Sequence, residues 1–113
     1  MERTREIPRT EWQSYFDRLV TEQTLRASVE IVGPELGDQI EAEQLPLASI
    51  SHDDHSGRVM IGVGGAERYP VVLWHTIERP RRVEVRERDG LADALIIEGS
   101  DDVRTLLRIT RDE

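Results

Sequence analysis

Trp12-Gln13-Ser14-Tyr15-Phe16-Asp17-Arg18-Leu19-Val20 is the stretch on which the fold class turns. Trp12, Tyr15, Phe16, Leu19 and Val20 fall at i, i+3, i+4, i+7 and i+8, one apolar stripe along a helix of about three turns. Glu11, Gln13, Ser14, Asp17 and Arg18 take the wet face. Three of the five aromatic residues of the chain lie on this stripe, where packing against a sheet is the plain role for them. Upstream, Thr10 is placed to cap the helix, and Gln13 to reach back as a capping box.

Beyond residue 24 the apolar period changes from helical to two. Strands are expected over 26–32, 38–44, 48–52, 58–64, 70–77, 82–88, 94–98 and 103–110, with Leu45-Pro46-Leu47 interrupting the second and third. Gly33-Pro34-Glu35-Leu36-Gly37, Asp53-Asp54-His55-Ser56-Gly57, Asp89-Gly90 and Gly99-Ser100-Asp101-Asp102 supply the turns. Gly62-Val63-Gly64-Gly65 reads as a strand-end bulge or a flexible loop, since neither a helix start nor a Lys follows to make a phosphate cradle. No second helical stretch is long enough for a parallel crossover, so antiparallel pairing is expected. The predicted fold is α+β: one N-terminal helix on a strongly curved, mainly antiparallel sheet of about seven strands, a single domain over 1–113. Leu73 with Trp74, and Ile96 with Ile97, put apolar side chains on both faces of their strands. Either the sheet closes into a partial barrel, or a second molecule covers one face.

Composition excludes several chemistries. The chain has no cysteine, which removes disulfides, thiolate metal sites and cysteine nucleophiles. All 15 basic residues are Arg, and the absence of Lys removes Schiff-base chemistry and a Walker-A loop. The net charge is −8, with 5 Arg against 12 Asp/Glu in residues 1–57 and 10 against 11 in residues 58–113. Such a balance argues against nucleic acid or an anionic membrane as the partner. The charged opening Met1–Glu6 lacks the apolar segment of a secretory signal, and the longest apolar run, Val71–Trp74, is far short of the ~20 residues of a membrane helix. A cytoplasmic protein is expected.

Several pieces in order resemble a bacterial and archaeal family of unknown function, DUF5335. They are Arg5-Glu6-Ile7-Pro8-Arg9 with Trp12 and Phe16, Gly33-Pro34-Glu35-Leu36-Gly37, Leu45-Pro46-Leu47 with Ile50-Ser51, His75-Thr76-Ile77 with Pro80 and Val83, and Thr105-Leu106-Leu107-Arg108-Ile109. The resemblance runs nearly the whole length and implies a shared fold; it implies no chemistry.

Three constellations could carry chemistry. His52, Asp54 and His55, in the run His52-Asp53-Asp54-His55, offer nitrogen and oxygen ligands for a borderline divalent metal, with His75 as a further nitrogen. Adjacent residues rarely converge on one ion, and Asp and Ser beside Gly57 are also the chemistry of a hairpin turn. His75, in an otherwise apolar strand, is either a general base tuned by burial or a hydrogen-bonded structural residue. Arg79, Arg82 and Arg86 belong to the densest basic segment, but acids interleave with them, so a docking face for a small anion competes with cross-strand salt bridges.

No compact catalytic set emerges, and no cofactor is implied. The expected function is a non-enzymatic accessory or protein-interaction module whose partner is another protein or a second copy, as a homodimer. The alternative is a small-ligand or divalent-metal-binding domain, an enzyme included, that uses His75, the Arg82/Arg86 face or the His52–His55 loop. The two differ in what they require: an exposed apolar surface for the first, a concave pocket holding His75 or Arg82 for the second.

Overall fold

The computed structural model describes residues 1–22, 25–34, 37–66, 68–100 and 102–111. The elements run β1 (Glu2–Ile7), a short 3-10 turn (Arg9–Glu11), α1 (Trp12–Glu22), β2 (Leu25–Gly33), β3 (Gly37–His52), β4 (Val59–Ala66), β5 (Tyr69–Ile77), β6 (Pro80–Arg88), β7 (Leu91–Gly99) and β8 (Arg104–Arg111). One antiparallel sheet of eight strands holds them in the order β1-β6-β7-β8-β2-β3-β4-β5.

That order dictates the curvature. β5 is one edge of the sheet and β6 lies next to the other edge, yet only Glu78 and Arg79 connect them. The three Cα steps from Ile77 to Pro80 span at most about 11 Å, so the sheet must curl until those ends come close. The curl stops short of closure, because β5 and β1 remain edges and do not pair. The expected curved α+β sheet is therefore present, and it is not a closed barrel.

The expected strand count needs two corrections. The segments 38–44 and 48–52 are one strand, since β3 runs unbroken through Pro46. It pairs with β2 in its first part and with β4 in its second, with register shifts in both ladders. At the bend Gln44 takes φ +51°, and β2 side chains satisfy its backbone: Ser28 Oγ accepts from its N–H, and Arg26 donates to its carbonyl. A bulge of this kind tolerates a proline that lacks a donor.

The second correction is β1, which no apolar pattern announces. It is held to β6 by charge: Arg82 pairs with Glu6 at 3.2 Å, Arg88 with Glu2 at 3.0 Å, and Arg3 and Arg5 both reach Glu87. Register places Glu2 opposite Arg88 and Ile7 opposite Val83.

The helix carries the expected stripe inward. Trp12, Phe16 and Leu19 are buried with Ile7, Val29, Ile50, Ile61, Val83, Leu95, Ile97 and Leu107 in one core, and Tyr15 and Val20 pack against it. The expected capping box does not form. The helix is entered through the 3-10 turn after Pro8, with no side-chain cap. Gln13 instead donates to Asp17 one turn on and accepts from the backbone N–H of His52. Trp12 joins three parts: its indole N–H donates to the Ile7 carbonyl at 2.8 Å, its ring lies 4.3 Å from the Arg9 guanidinium, and His52 meets it edge-on at 4.9 Å.

The hairpins fall where the turn residues placed them. Asp89 and Gly90, with φ of 53° and 82°, make the two-residue β6–β7 turn. The β7–β8 turn closes with Gly99 N–H on the Val103 carbonyl; Asp101, and Glu35 and Leu36 of the β2–β3 turn, lie outside the described residues. The Gly64-Gly65 segment is a bulge, with a register shift between Gly64 and Ala66. Among the described residues no helix is long and apolar enough to cross a membrane.

Candidate functional site

β5 is where the molecule is least finished. It pairs with β4 on one side only. Because side chains alternate, Val71, Leu73, His75 and Ile77 share the concave face with the buried Val59, Ile61 and Val63 of β4, while Val72, Trp74 and Thr76 point outward. Val71 is 70% exposed, Leu73 49% and Trp74 57%. Apolar groups of this size on both faces of an unpaired strand are uncommon on a protein surface. Trp74 lies across Gly62, where a Cβ would stand 2.9 Å from a ring carbon, so the glycine is what lets the indole rest on β4.

His75 divides the concave side of β5 into two clefts. Its Nε2 is 3.2 Å from Thr105 Oγ1 on β8, a polar contact between two residues on the inward faces of their strands. Burial holds the imidazole below the ordinary histidine range, and Glu41 partly opposes that. Toward the β5–β6 connection lies a cleft of about 520 Å³ lined by Ile31, His75, Arg79, Ser100, Val103 and Thr105 among others. On the other side a cleft of about 260 Å³ is walled by Val29, Glu41, Ala42, Val63 and Leu73 among others. Both clefts are open to solvent rather than enclosed.

Of the basic residues singled out from sequence, only Arg79 shares this region with His75; it makes no ion pair among the described residues. Arg82 and Arg86 lie further along β6, outside the lining of that cleft. Arg82 pairs with Glu6 and Glu84, and Arg86 with Glu2 at 3.9 Å, so cross-strand pairing occupies both.

The 52–55 loop is a tight turn organised by Asp53. Its carboxylate accepts from the His55 backbone N–H and the Ser56 hydroxyl, which hold it below the usual aspartate range. The His52 side chain is buried against Trp12, with Nδ1 3.7 Å from Asp54. Its Nε2 is buried without a hydrogen-bond partner among the described residues. His55 is exposed at the tip. Among the described residues no three His, Asp or Glu side chains converge to hold a metal ion.

Sequence reasoning missed Thr105 and Glu41 as neighbours of His75. For Thr105 a signal existed: it is a hydroxyl at an inward position of β8, in alternation with Leu107 and Ile109. A polar group there needs a partner, and His75 is the other inward polar residue facing the same space.

A protein of Aquifex aeolicus (strain VF5), described only as uncharacterized, is 29% identical over 107 residues, covering 94% of this chain and 91% of its own. No solved structure matches the chain. Residues 3–113, all of the described fold but Met1 and Glu2, match the model of one family, and on that match the chain belongs to DUF5335, a family of unknown function.

Proposed function

We propose that the protein is a non-enzymatic interaction module that docks a protein strand along β5. The observation that carries this reading is the difference between the two edges of one sheet. β1 bears a charge at Glu2, Arg3, Arg5 and Glu6, and ion pairs to β6 hold it. Charged edges of this kind resist further pairing. β5 has no acidic or basic Asp, Glu or Arg along its nine residues, and it exposes Val71, Leu73 and Trp74. An added strand would satisfy the backbone groups of β5 and cover those side chains, which is the physics of β-augmentation.

Size measurement in cell extract tests it. At natural expression level the protein runs above its own 13.0 kDa, and Leu73→Lys, which places a charge in the middle of the edge, returns it to monomer size. Wild-type protein running as a monomer refutes the reading.

One observation favours a second reading. Arg79, unpaired among the described residues, and His75 line the same 520 Å³ cleft, which would suit a small carboxylate or phosphate. Isothermal titration with inorganic phosphate and citrate tests it; binding abolished by Arg79→Ala supports the cleft, and no heat in wild type removes it.

A further inference from the structure

The charges that bracket β5 select what pairs with it. Arg68 stands immediately before the strand and Glu78 immediately after, with nothing acidic or basic except His75 between them. The other uncharged run of nine, 44–52, lies in an interior strand and has acids, Glu43 and Asp53, at both ends. Opposite signs at the two ends make a strand complementary to an antiparallel copy of itself.

We infer that β5 is the self-pairing edge of a two-fold homodimer, with Leu73 at the axis. The inference rests on the β5-edge reading above and names the occupant. When two copies join edge to edge in antiparallel fashion, the two-fold axis runs perpendicular to the sheet. Both copies then present the same face, so paired residue numbers must share parity. Arg68 opposite Glu78 meets that condition and fixes the register. Val71 then faces His75, Val72 faces Trp74, and Leu73 faces Leu73. The exposed Trp74 gains an apolar neighbour on the outer face, and the two Leu73 side chains meet on the concave face. Glu78 is already oriented by Arg58, whose Nε lies 2.7 Å from Oε2. A slip by two residues places Arg68 opposite Thr76 or Pro80 and loses both ion pairs.

The same operation on β1 fails. Centred on Thr4, it sets Glu2 against Glu6 and Arg3 against Arg5; centred on Arg3 or Arg5, it sets that arginine against itself. Like charges directly opposite destabilise a strand pair. Of the two edges, only β5 is self-complementary.

The chain has no cysteine, so a single introduced thiol reports the register. Directly opposed antiparallel residues have Cα atoms roughly 4.5–5.5 Å apart, within disulfide range. Purified Leu73→Cys is expected to form an intermolecular disulfide under mild oxidation. Val71→Cys is expected to stay reduced, because its copies would be about 13 Å apart along the strands. Native mass spectrometry on untagged protein gives the second readout. Wild type runs as a dimer. Arg68→Glu alone and Glu78→Arg alone each weaken the dimer at least tenfold, and mixing the two variants restores it, since every facing position then carries opposite charges. A wild-type monomer without a Leu73→Cys cross-link overturns the homodimer. In that event, a complex in cell extract that Leu73→Lys dissolves leaves the interaction reading standing with a different partner. A dimer indifferent to the charge variants overturns the register.

Discussion

Replacing Trp12 by Phe isolates the bond that ties the helix to β1. Trp12 is 1% exposed, and its indole N–H donates to the Ile7 carbonyl in a buried 2.8 Å bond. Phe keeps most of the ring and stays on the apolar stripe, but it removes the donor. The carbonyl of Ile7 is then left without this partner at a residue that is itself 1% exposed. An orphaned buried acceptor costs about 1–3 kcal/mol. The smaller ring also leaves a gap beside His52 and loosens the stacking on Arg9, adding about 1 kcal/mol. The expected total is about 2–4 kcal/mol, a drop of very roughly 10 °C in Tm for a domain of this length. Trp12→Ala, which also empties the site, should reach about 3–5 kcal/mol. Urea unfolding followed by circular dichroism measures both; the midpoint should fall with an unchanged slope. A Trp12→Phe protein within about 0.5 kcal/mol of wild type would refute the claim that this bond, rather than ring packing alone, fixes the entry to the helix.

Three further outcomes follow from single positions. Gly62→Ala puts a Cβ 2.9 Å from the Trp74 ring, so the indole must lift off β4; about 1–3 kcal/mol is lost and Trp74 fluorescence shifts to the red. Gly90→Ala meets no atom within 4 Å, yet φ there is +82°, so unfolding measurements should show a loss of about 1 kcal/mol from backbone strain alone. His75 favours its neutral form when folded, so the unfolded chain binds more protons just below its ordinary value of 6.5. The His75 contribution to stability is therefore intact above that pH and falls as pH drops through 6.5 toward the lower folded value. His75→Gln keeps a hydrogen-bonding group for Thr105 and should flatten this part of the profile between about pH 5 and 8 in a urea series; equal slopes in both proteins would show that burial does not tune this imidazole.

How far the sequence carried the fold can be argued from a few residues. The stripe Trp12 to Val20 and the alternation of Val59, Ile61 and Val63 were legible because burial writes a period into the chain. β1 was not, because its partners are charges on β6, 80 residues away, and charge pairing across a ladder leaves no local period. Pro46 misled for the opposite reason. A proline ordinarily stops a strand, and the side chains of Ser28 and Arg26 that satisfy the neighbouring bulge belong to another strand. Of the candidate site, His75 and the two-faced apolar character of Leu73 and Trp74 could be read directly. That Arg79 would line the cleft beside His75 while Arg82 turned to Glu6 could not, since both lie within a few residues of one turn. The partner that engages Arg82 sits on β1, at the far end of the sequence.

The open edge follows from the same topology. Closure would require β5 to pair with β1, and the two are chemically mismatched. β1 has its charged side chains engaged by β6: Glu87 holds Arg3 and Arg5, while Arg82 and Arg88 hold Glu6 and Glu2. A seam with β5 would lay Val71, Leu73 and Trp74 along that row of ions, desolvating charges without offering them a partner. The two-residue link at Glu78-Arg79 brings the sheet ends close, but chemistry keeps them from joining. What remains is an edge that only an uncharged strand can extend without such a penalty. Within this chain, the other uncharged run of equal length already lies in an interior strand. On the β5-pairing proposal the free edge takes a second molecule, and the opposite charges at its ends favour one that carries β5 itself.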